Sequence, residues 1–202
     1  MKRAVILVAA AALLSPAAAR ADGDPASDVL LSQNVFVTYT VKVPKAQSDE
    51  LNALVAAAKN VGFGVKVALI ATPADLGAVP SLFGKPKRYA EFLGREIVFV
   101  YPGRLLVVMP GGYGVSRRGA LVPREQTALD ALPRPGSDGS SLVRAADQAI
   151  RRLAELDGVQ IPAEAPKPSG HSTHDRLEIL GIALSVLVIV ALFAIPRRRR
   201  RG

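Results

Sequence analysis

An apolar segment of nineteen residues, 177–195, lies close to the carboxyl end of the chain. Only Glu178 and Ser185 interrupt it with polar groups. A helix of this length reaches roughly 28 Å at ~1.5 Å per residue, which just spans the hydrocarbon core of a bilayer. The segment therefore predicts a single transmembrane helix, and the rest of the chain has to fold in water beside a membrane.

Five consecutive arginines follow this segment directly after Pro196: Arg197, Arg198, Arg199, Arg200 and Arg201. Cationic side chains beside a transmembrane helix stay on the cytoplasmic side. Residues 196–202 are therefore predicted to form a cytoplasmic tail, with everything before Leu177 outside the cell membrane. A buried core helix would leave the arginines unexplained, and a nucleic-acid patch is less favoured than contact with anionic headgroups of the bilayer, at ~1 kcal/mol per residue.

The amino end has the layout of a secretory signal peptide. Two basic residues precede an apolar run over residues 4–14, and an A-x-A site ends at Ala21. Cleavage is predicted between Ala21 and Asp22, which makes residues 1–21 the signal peptide. A retained anchoring helix is the alternative, but the apolar run is well below the ~20 residues that cross a bilayer.

The composition excludes several classes of protein. The chain has no cysteine, which removes disulfide scaffolds, thiolate metal sites and thiol catalysis. Eight of the 26 basic residues and one of the 17 acidic residues lie in the terminal segments, which leaves 18 against 16 for residues 22–176. Most of the net charge of +9 is thus carried by the terminal segments, which are predicted to direct targeting and topology. The outer domain gives no electrostatic case for nucleic acid as a partner.

Between the terminal segments, the apolar patterns predict an α/β domain over residues 22–158, with helices packed on both faces of a small mixed β-sheet. Strands are predicted at 35–43, 65–70, 97–101 and 104–109, the last two joined by a Pro102-Gly103 turn. Helices are predicted at 48–62, from residue 86 through residue 93, and at 141–156. Residues 159–176, which contain Pro166, Pro168 and Gly170, predict an extended tether.

Two features of the carboxyl part suggest binding partners. Gly181 and Ser185 lie four residues apart, a spacing that lets a second helix approach and so allows a homodimer through the transmembrane helix. His171, His174 and Asp175 could ligate a divalent metal. A tether supplies at most three such ligands, so a solvated linker is the preferred interpretation.

The predicted domain contains neither histidine nor cysteine, which excludes Ser-His-Asp and Cys-His catalytic groups. Carboxylates outside the helix caps, such as Asp75, Glu91, Glu96 or Asp130, leave acid–base or divalent-cation chemistry open. These acids form no recognisable constellation. The sequence therefore assigns no catalytic, cofactor-binding or metal-ligating residue, and no cofactor beyond that open divalent cation.

Two loops after strands form the candidate ligand or partner surface, because α/β sheets place their sites beyond strand ends. One contains Asp75 and the other contains Gly112, Tyr113 and Gly114. The glycines do not match a P-loop, since no Lys-Ser or Lys-Thr follows them, and a turn ending a strand is the simpler interpretation. The two loops share one edge of the sheet only if strand 104–109 runs parallel to strand 65–70.

The order of these elements resembles the TPM domain family over residues 48–156. The resemblance rests on the helix closed by Gly62, the strand 65–70, the helix around Tyr89-Ala90-Glu91-Phe92-Leu93, the strand 104–108 and Gly112-Tyr113-Gly114. It implies an extracytoplasmic α/β domain, often with a signal peptide and one carboxyl-terminal membrane helix. Members of the family are linked to repair or assembly of membrane complexes, and some to phosphatase activity or calcium binding.

The chain departs from the family pattern at the residues that bear on those activities. Val115 and Ser116 replace the acidic residue that commonly follows the family's G-Y-G, and Met109-Pro110 shortens the charged turn before it. Fold and topology are therefore carried over, but no catalytic or metal residue is. Two hypotheses remain: a membrane-tethered module that binds or assembles with an envelope protein partner, and, as the alternative, a phosphatase that uses carboxylates and a divalent cation.

Overall fold

A computed structural model describes residues 23–162 of the chain. The predicted signal peptide with its Ala21–Asp22 cleavage site, most of the tether, the transmembrane segment and Arg197 to Arg201 lie outside these residues. Within residues 23–162, no helix combines the length and the apolar character that crossing a membrane requires.

The described residues form five α-helices and five strands. In chain order they are α1 (Pro25–Ser32), β1 (Val35–Phe36), α2 (Lys45–Asn60), β2 (Val65–Leu69), α3 (Pro86–Ile97), β3 (Arg104–Met109), β4 (Gly112–Arg117), β5 (Ala120–Leu121), α4 (Pro123–Asp130) and α5 (Gly139–Leu156). Two short 3-10 turns, Pro73–Leu76 and Pro80–Leu82, lie between β2 and α3. The sheet order is β1-β2-β3-β4-β5, with β1, β2 and β3 parallel and β4 and β5 antiparallel to their neighbours. The predicted α/β class and mixed sheet are confirmed.

Helices cover both faces of this sheet. Because successive side chains of a strand point to opposite faces, Val67 of β2 and Leu106 of β3 pack with α2 and α5, whereas Ala68 and Val107 pack with α1 and α3. All five residues of β2 and all six of β3 are buried. Strands covered on both sides are mostly apolar. β2 and β3 depart from this only at Lys66 and at Arg104, which explains why these two strands were visible in the sequence.

Two glycines end helices as their positions indicate. At Gly62, where φ is +85°, the amide donates to Lys59 and the next amide donates to Ala58, which is the Schellman pattern. Gly158, where φ is +71°, ends α5 in the same way. A residue with a β-carbon is strained at these φ values, so both positions favour glycine.

The predicted strand 97–101 is wrong. Ile97 is the last residue of α3 and is buried on the sheet, whereas Phe99 is 96% exposed. Residues 98–103 form a loop, so Pro102-Gly103 is not a hairpin turn. Because α3 and this loop return the chain to the opposite edge, β3 runs parallel to β2.

Other boundaries also differ from the predictions. Only Val35 and Phe36 of the predicted strand 35–43 pair with β2, although Val37, Val41 and Val43 still pack against the core. Helix α2 begins at Lys45 instead of Ser48. Pro44 is its N-cap residue, and the side chain of Lys45 in the first turn pairs with that of Asp49. Helix α5 begins two residues earlier than predicted, since Asp138 caps it through the Ser141 amide.

A buried ion cluster lies at the edge of the sheet where the parallel strands begin. We call this edge the amino edge. Arg104 is 4% exposed; its Nε donates to Glu125 Oε2 at 2.8 Å, and its Nη2 donates to Asp157 Oδ2 at 2.6 Å. Arg117 of β4 contacts Glu125 Oε1 at 2.7 Å. The Arg104 guanidinium also lies 4.0 Å from the centre of the Phe63 ring. This cluster joins β3 and β4 to α4 and to the end of α5.

Candidate functional site

The two candidate loops lie at the same edge of the sheet, the carboxyl edge. Strands β2 and β3 are parallel, with Val67 opposite Leu106, so the Asp75 loop and the β3–β4 turn both leave the sheet at that edge. Strand 104–109 thus runs parallel to strand 65–70, as the two loops require if they are to share one edge. The loops do not form one pocket, however, because the cavity described below is not lined by Asp75.

Asp75 is fully buried and acts as a hydrogen-bond acceptor. Its Oδ2 accepts from the Thr38 and Thr40 hydroxyls at 2.7 and 3.0 Å, and from the amides of Ala71 and Thr72 at 2.8 and 3.0 Å. Its Oδ1 has no hydrogen-bond partner among the described residues. These bonds tie the segment after β1 to the loop after β2, which is a structural use of the carboxylate away from solvent.

A second buried carboxylate, Asp24, lies at the start of α1. It accepts from the Tyr89 hydroxyl at 2.8 Å and from the Ala26 amide at 3.1 Å. Burial raises the pKa of Asp24 from its ordinary value of 3.8 to about 6, with the Tyr89 and Ala26 hydrogen bonds acting in the opposite direction. Burial also raises the pKa of Tyr89, so its hydroxyl remains a donor.

Replacing Asp24 with asparagine is expected to stabilise the domain at neutral pH. Because the folded pKa of Asp24 lies above the unfolded one, ionisation costs stability as pH rises from about 4 to about 6, and the loss persists above that range. Asparagine keeps both acceptor bonds without the buried charge. We expect the free energy of unfolding to rise by roughly 2 kcal/mol at pH 7 and to be little changed near pH 4, measured by urea denaturation.

The exposed Glu50 on α2, which is not among the groups that shift the pKa of Asp24, provides the control for that substitution. Glu50→Gln is expected to change the free energy of unfolding by less than about 0.5 kcal/mol. An Asp24→Asn protein whose stability followed the same pH curve as the unsubstituted protein would contradict the assignment.

The glycine-tyrosine-glycine element is the start of β4 and not a turn, which corrects the sequence interpretation. The turn itself is Pro110-Gly111, where Gly111 has a φ of +84°. Tyr113 is 3% exposed, and its hydroxyl donates to the Pro133 carbonyl at 2.9 Å. On the opposite face, a β-carbon at Gly114 would overlap the carbonyl oxygen of Pro86. The element therefore serves to pack the first turn of α3 directly onto β4.

A cavity of about 660 Å³ lies at the carboxyl edge, between the start of α3, the β3–β4 turn and the end of α4. It is lined by Gly84, Lys85, Pro86, Lys87, Arg88, Gly111, Gly112, Tyr113, Leu129, Asp130, Leu132 and Arg134. Four of these residues are basic and one is acidic. We call it the basic cavity.

The charges around the basic cavity are only partly compensated. Lys87 Nζ contacts Asp130 Oδ2 at 2.7 Å, and this bond lowers the pKa of Asp130 below its ordinary value. Lys85 Nζ donates to the Ser81 carbonyl at 2.9 Å. Among the described residues, neither Arg88 nor Arg134 forms an ion pair. Since the positive end of the α3 dipole also lies here, the cavity favours an anionic group.

The other acids considered in the sequence lie elsewhere. Glu91 and Glu96 are on α3 and do not line the basic cavity, so Asp130 is the one carboxylate in its wall. Within residues 23–162, no group of three or more histidine, cysteine or acidic residues is placed to hold a metal ion. Gly112 and Tyr113 do line the cavity, whereas Gly114 and Asp75 do not.

The basic residues of the cavity were missed at the sequence level. The run Lys85-Pro86-Lys87-Arg88 was a usable signal, because three cations surround a proline that begins a helix. Arg134 is brought to them only by the fold.

Comparisons with known proteins found no match: no protein-family model fits the chain, and no curated protein or solved structure is significantly similar to it. A functional interpretation of the basic cavity therefore depends on its own geometry and charge. The prediction that the cavity lies outside the cell depends on the terminal segments of the sequence.

Proposed function

We propose that this protein is a membrane-tethered, extracytoplasmic binding or assembly module that holds an acidic segment of an envelope protein partner in the basic cavity. The observation that carries this proposal is the lining of that cavity, where four cations meet one carboxylate that is already paired. Planar guanidinium groups such as those of Arg88 and Arg134 bind carboxylates through two parallel hydrogen bonds. Their chemistry suits recognition of an acidic side chain.

The placement outside the cell is part of the same proposal. It is supported by the signal peptide over residues 1–21, the apolar segment over residues 177–195 and the arginines that follow it. The resemblance to the TPM domain family points in the same direction and stays a prediction. A homodimer through Gly181 and Ser185 remains compatible with this arrangement.

A site-specific crosslinking experiment tests the binding function. A photoreactive amino acid replaces Lys85 in the full chain, which leaves the other three cations of the cavity intact. The matched control places the same group at Arg144, an exposed position on α5 that does not line the cavity. We expect a specific adduct with an envelope protein from position 85 and none from position 144.

Charge reversal links that adduct to the cavity. Arg88→Glu combined with Arg134→Glu is expected to lower the adduct yield by at least about tenfold, because like charges placed opposite each other cost several kcal/mol. Equal yields from positions 85 and 144, or a yield that the reversal leaves unchanged, would overturn the proposal.

The alternative is a phosphatase that uses carboxylates and a divalent cation, and the family resemblance alone favours it. Asp130 is the one carboxylate of the cavity wall, so this chemistry would depend on it. Asp130→Asn therefore separates the two hypotheses. A binding module retains its adduct in that variant, whereas a phosphatase loses release of phosphate from a generic ester in the presence of calcium or magnesium.

A further inference from the structure

The amino edge of the sheet carries most of the exposed large apolar side chains. Phe99 is 96% exposed and Val100 61%, while Leu31 and Val61 are 46% and 39% exposed. All four lie where a helix returns to the start of a parallel strand: at the end of α1, after α2, and after α3. An almost fully exposed phenylalanine next to a largely exposed valine is unusual on a surface that meets only water.

The described chain reaches this same edge at the end of its last helix. Asp157 follows α5, and its Oδ2 accepts from Arg104 at the start of β3 and from Arg117 at the end of β4. Beyond Asp157 the chain turns back beside α5, where Arg151 Nη1 donates to the Ile161 carbonyl at 3.5 Å. The chain therefore leaves the domain close to the amino edge.

The number of residues between the end of the described chain and the predicted membrane segment limits how far the domain can lie from the bilayer. Fourteen residues, 163–176, precede Leu177. At no more than ~3.6 Å per residue they span roughly 50 Å at most. The amino edge therefore stays within reach of the bilayer surface. Exposed basic side chains at this edge, those of Lys59 and Arg118, are suited to lipid phosphates.

We infer that the amino edge is a membrane-docking surface, with Phe99 and Val100 inserted among the headgroups and upper acyl chains of the bilayer that anchors the chain. Aromatic and aliphatic side chains gain free energy at that depth because their apolar surface leaves water. The basic cavity, at the opposite edge of the sheet, then faces away from the membrane. This inference rests on the proposed membrane anchorage.

Tryptophan fluorescence of the full chain tests this docking directly, because the chain contains no tryptophan. Phe99→Trp places a single probe at the amino edge. Tyr39→Trp is the matched control: Tyr39 is 62% exposed, and its hydroxyl donates to the Ala74 carbonyl at the carboxyl edge. Leu187→Trp probes the anchoring segment itself. Each variant is reconstituted in phosphatidylcholine–phosphatidylglycerol vesicles, with and without brominated acyl chains.

Docking predicts a blue-shifted emission for Phe99→Trp and a loss of its intensity in brominated vesicles, while Tyr39→Trp shows neither. Quenching of Leu187→Trp with an unquenched Phe99→Trp would overturn the docking surface and leave the anchorage standing. An unquenched Leu187→Trp would overturn the anchorage and the docking with it. A Phe99→Trp emission that is blue-shifted without bromine quenching would mean that protein, such as a second copy of the chain, covers this edge, which also overturns the inference.

Discussion

Replacing Gly114 with alanine is expected to lower the free energy of unfolding by about 3 kcal/mol or more, one of the largest effects of a single methyl group in this domain. A β-carbon at this position overlaps the Pro86 carbonyl oxygen and lies 2.8 Å from the Lys87 amide nitrogen. Both atoms are backbone of the first turn of α3, so no side chain can move aside. The helix has to shift away from β4, and it carries two cations of the basic cavity, Lys87 and Arg88, with it.

Urea denaturation of residues 22–176 measures the loss. Gly111→Asn, in the neighbouring turn, is the control, since no atom lies within 4 Å of a β-carbon there and asparagine tolerates the positive φ of +84°. We expect that control to cost less than about 1 kcal/mol. If Gly114→Ala were as stable as Gly111→Asn, the close approach of α3 to β4 would not hold.

The second large effect is expected at the buried ion cluster of the amino edge. Arg104→Met removes the guanidinium whose Nε and Nη2 donate to the Glu125 carboxylate at 2.8 and 3.1 Å. The Glu125 carboxylate stays buried, and among residues 23–162 the one ion pair left to it is with Arg117, whose side chain is 44% exposed. Leaving a buried charge with a weakened partner costs roughly 3 kcal/mol or more, which thermal and urea unfolding can both detect.

The double variant Arg104→Met, Glu125→Leu shows whether the cost comes from the stranded charge. Apolar residues of similar size commonly replace a buried ion pair without loss of stability. We therefore expect the double variant to recover most of the stability that the single variant loses. Additive losses in the two single variants and the double variant would mean that the two side chains are not coupled.

The sequence predicts correctly those elements whose local residue pattern is compatible with one kind of secondary structure. β2 and β3 are short, mostly apolar runs, broken only by Lys66 and by Arg104 at the start of β3, and such runs suit a strand covered by helices on both faces. α5 shows a single apolar stripe, and Gly62 ends α2 in a conformation that glycine adopts most easily. In these elements, local preference and burial agree.

Other elements depend on tertiary contacts that a local pattern does not contain. Residues 97–100 are all apolar, and such a run suits a strand as well as the end of a helix. The first of them, Ile97, ends α3 with its side chain buried against the sheet, which leaves Phe99 in a loop. β4 contains two glycines and has little intrinsic strand preference, yet it forms because β3 pairs with it and α3 needs small residues there.

The same distinction applies to the candidate site. The sequence pointed, through Asp75 and Gly112, to the edge of the sheet where the basic cavity lies. Of the four residues it named, Gly112 and Tyr113 line the cavity, whereas Asp75 and Gly114 serve internal packing. The cations that line the cavity come from the start of α3 and from Arg134, far apart along the chain. Only the packing of α3 on β4 brings them together.

The sheet order carries a consequence for how this chain folds while it is being synthesised. β2 gains its second neighbour only when β3 is added, and the core that α2 begins is completed by Leu153 of α5. Contacts between segments so distant along the chain cannot form before the later segment has been synthesised, and they form slowly. A growing polypeptide of this sequence therefore has no finished globule until nearly all of residues 23–162 have been synthesised, which is compatible with the predicted export of an unfolded chain.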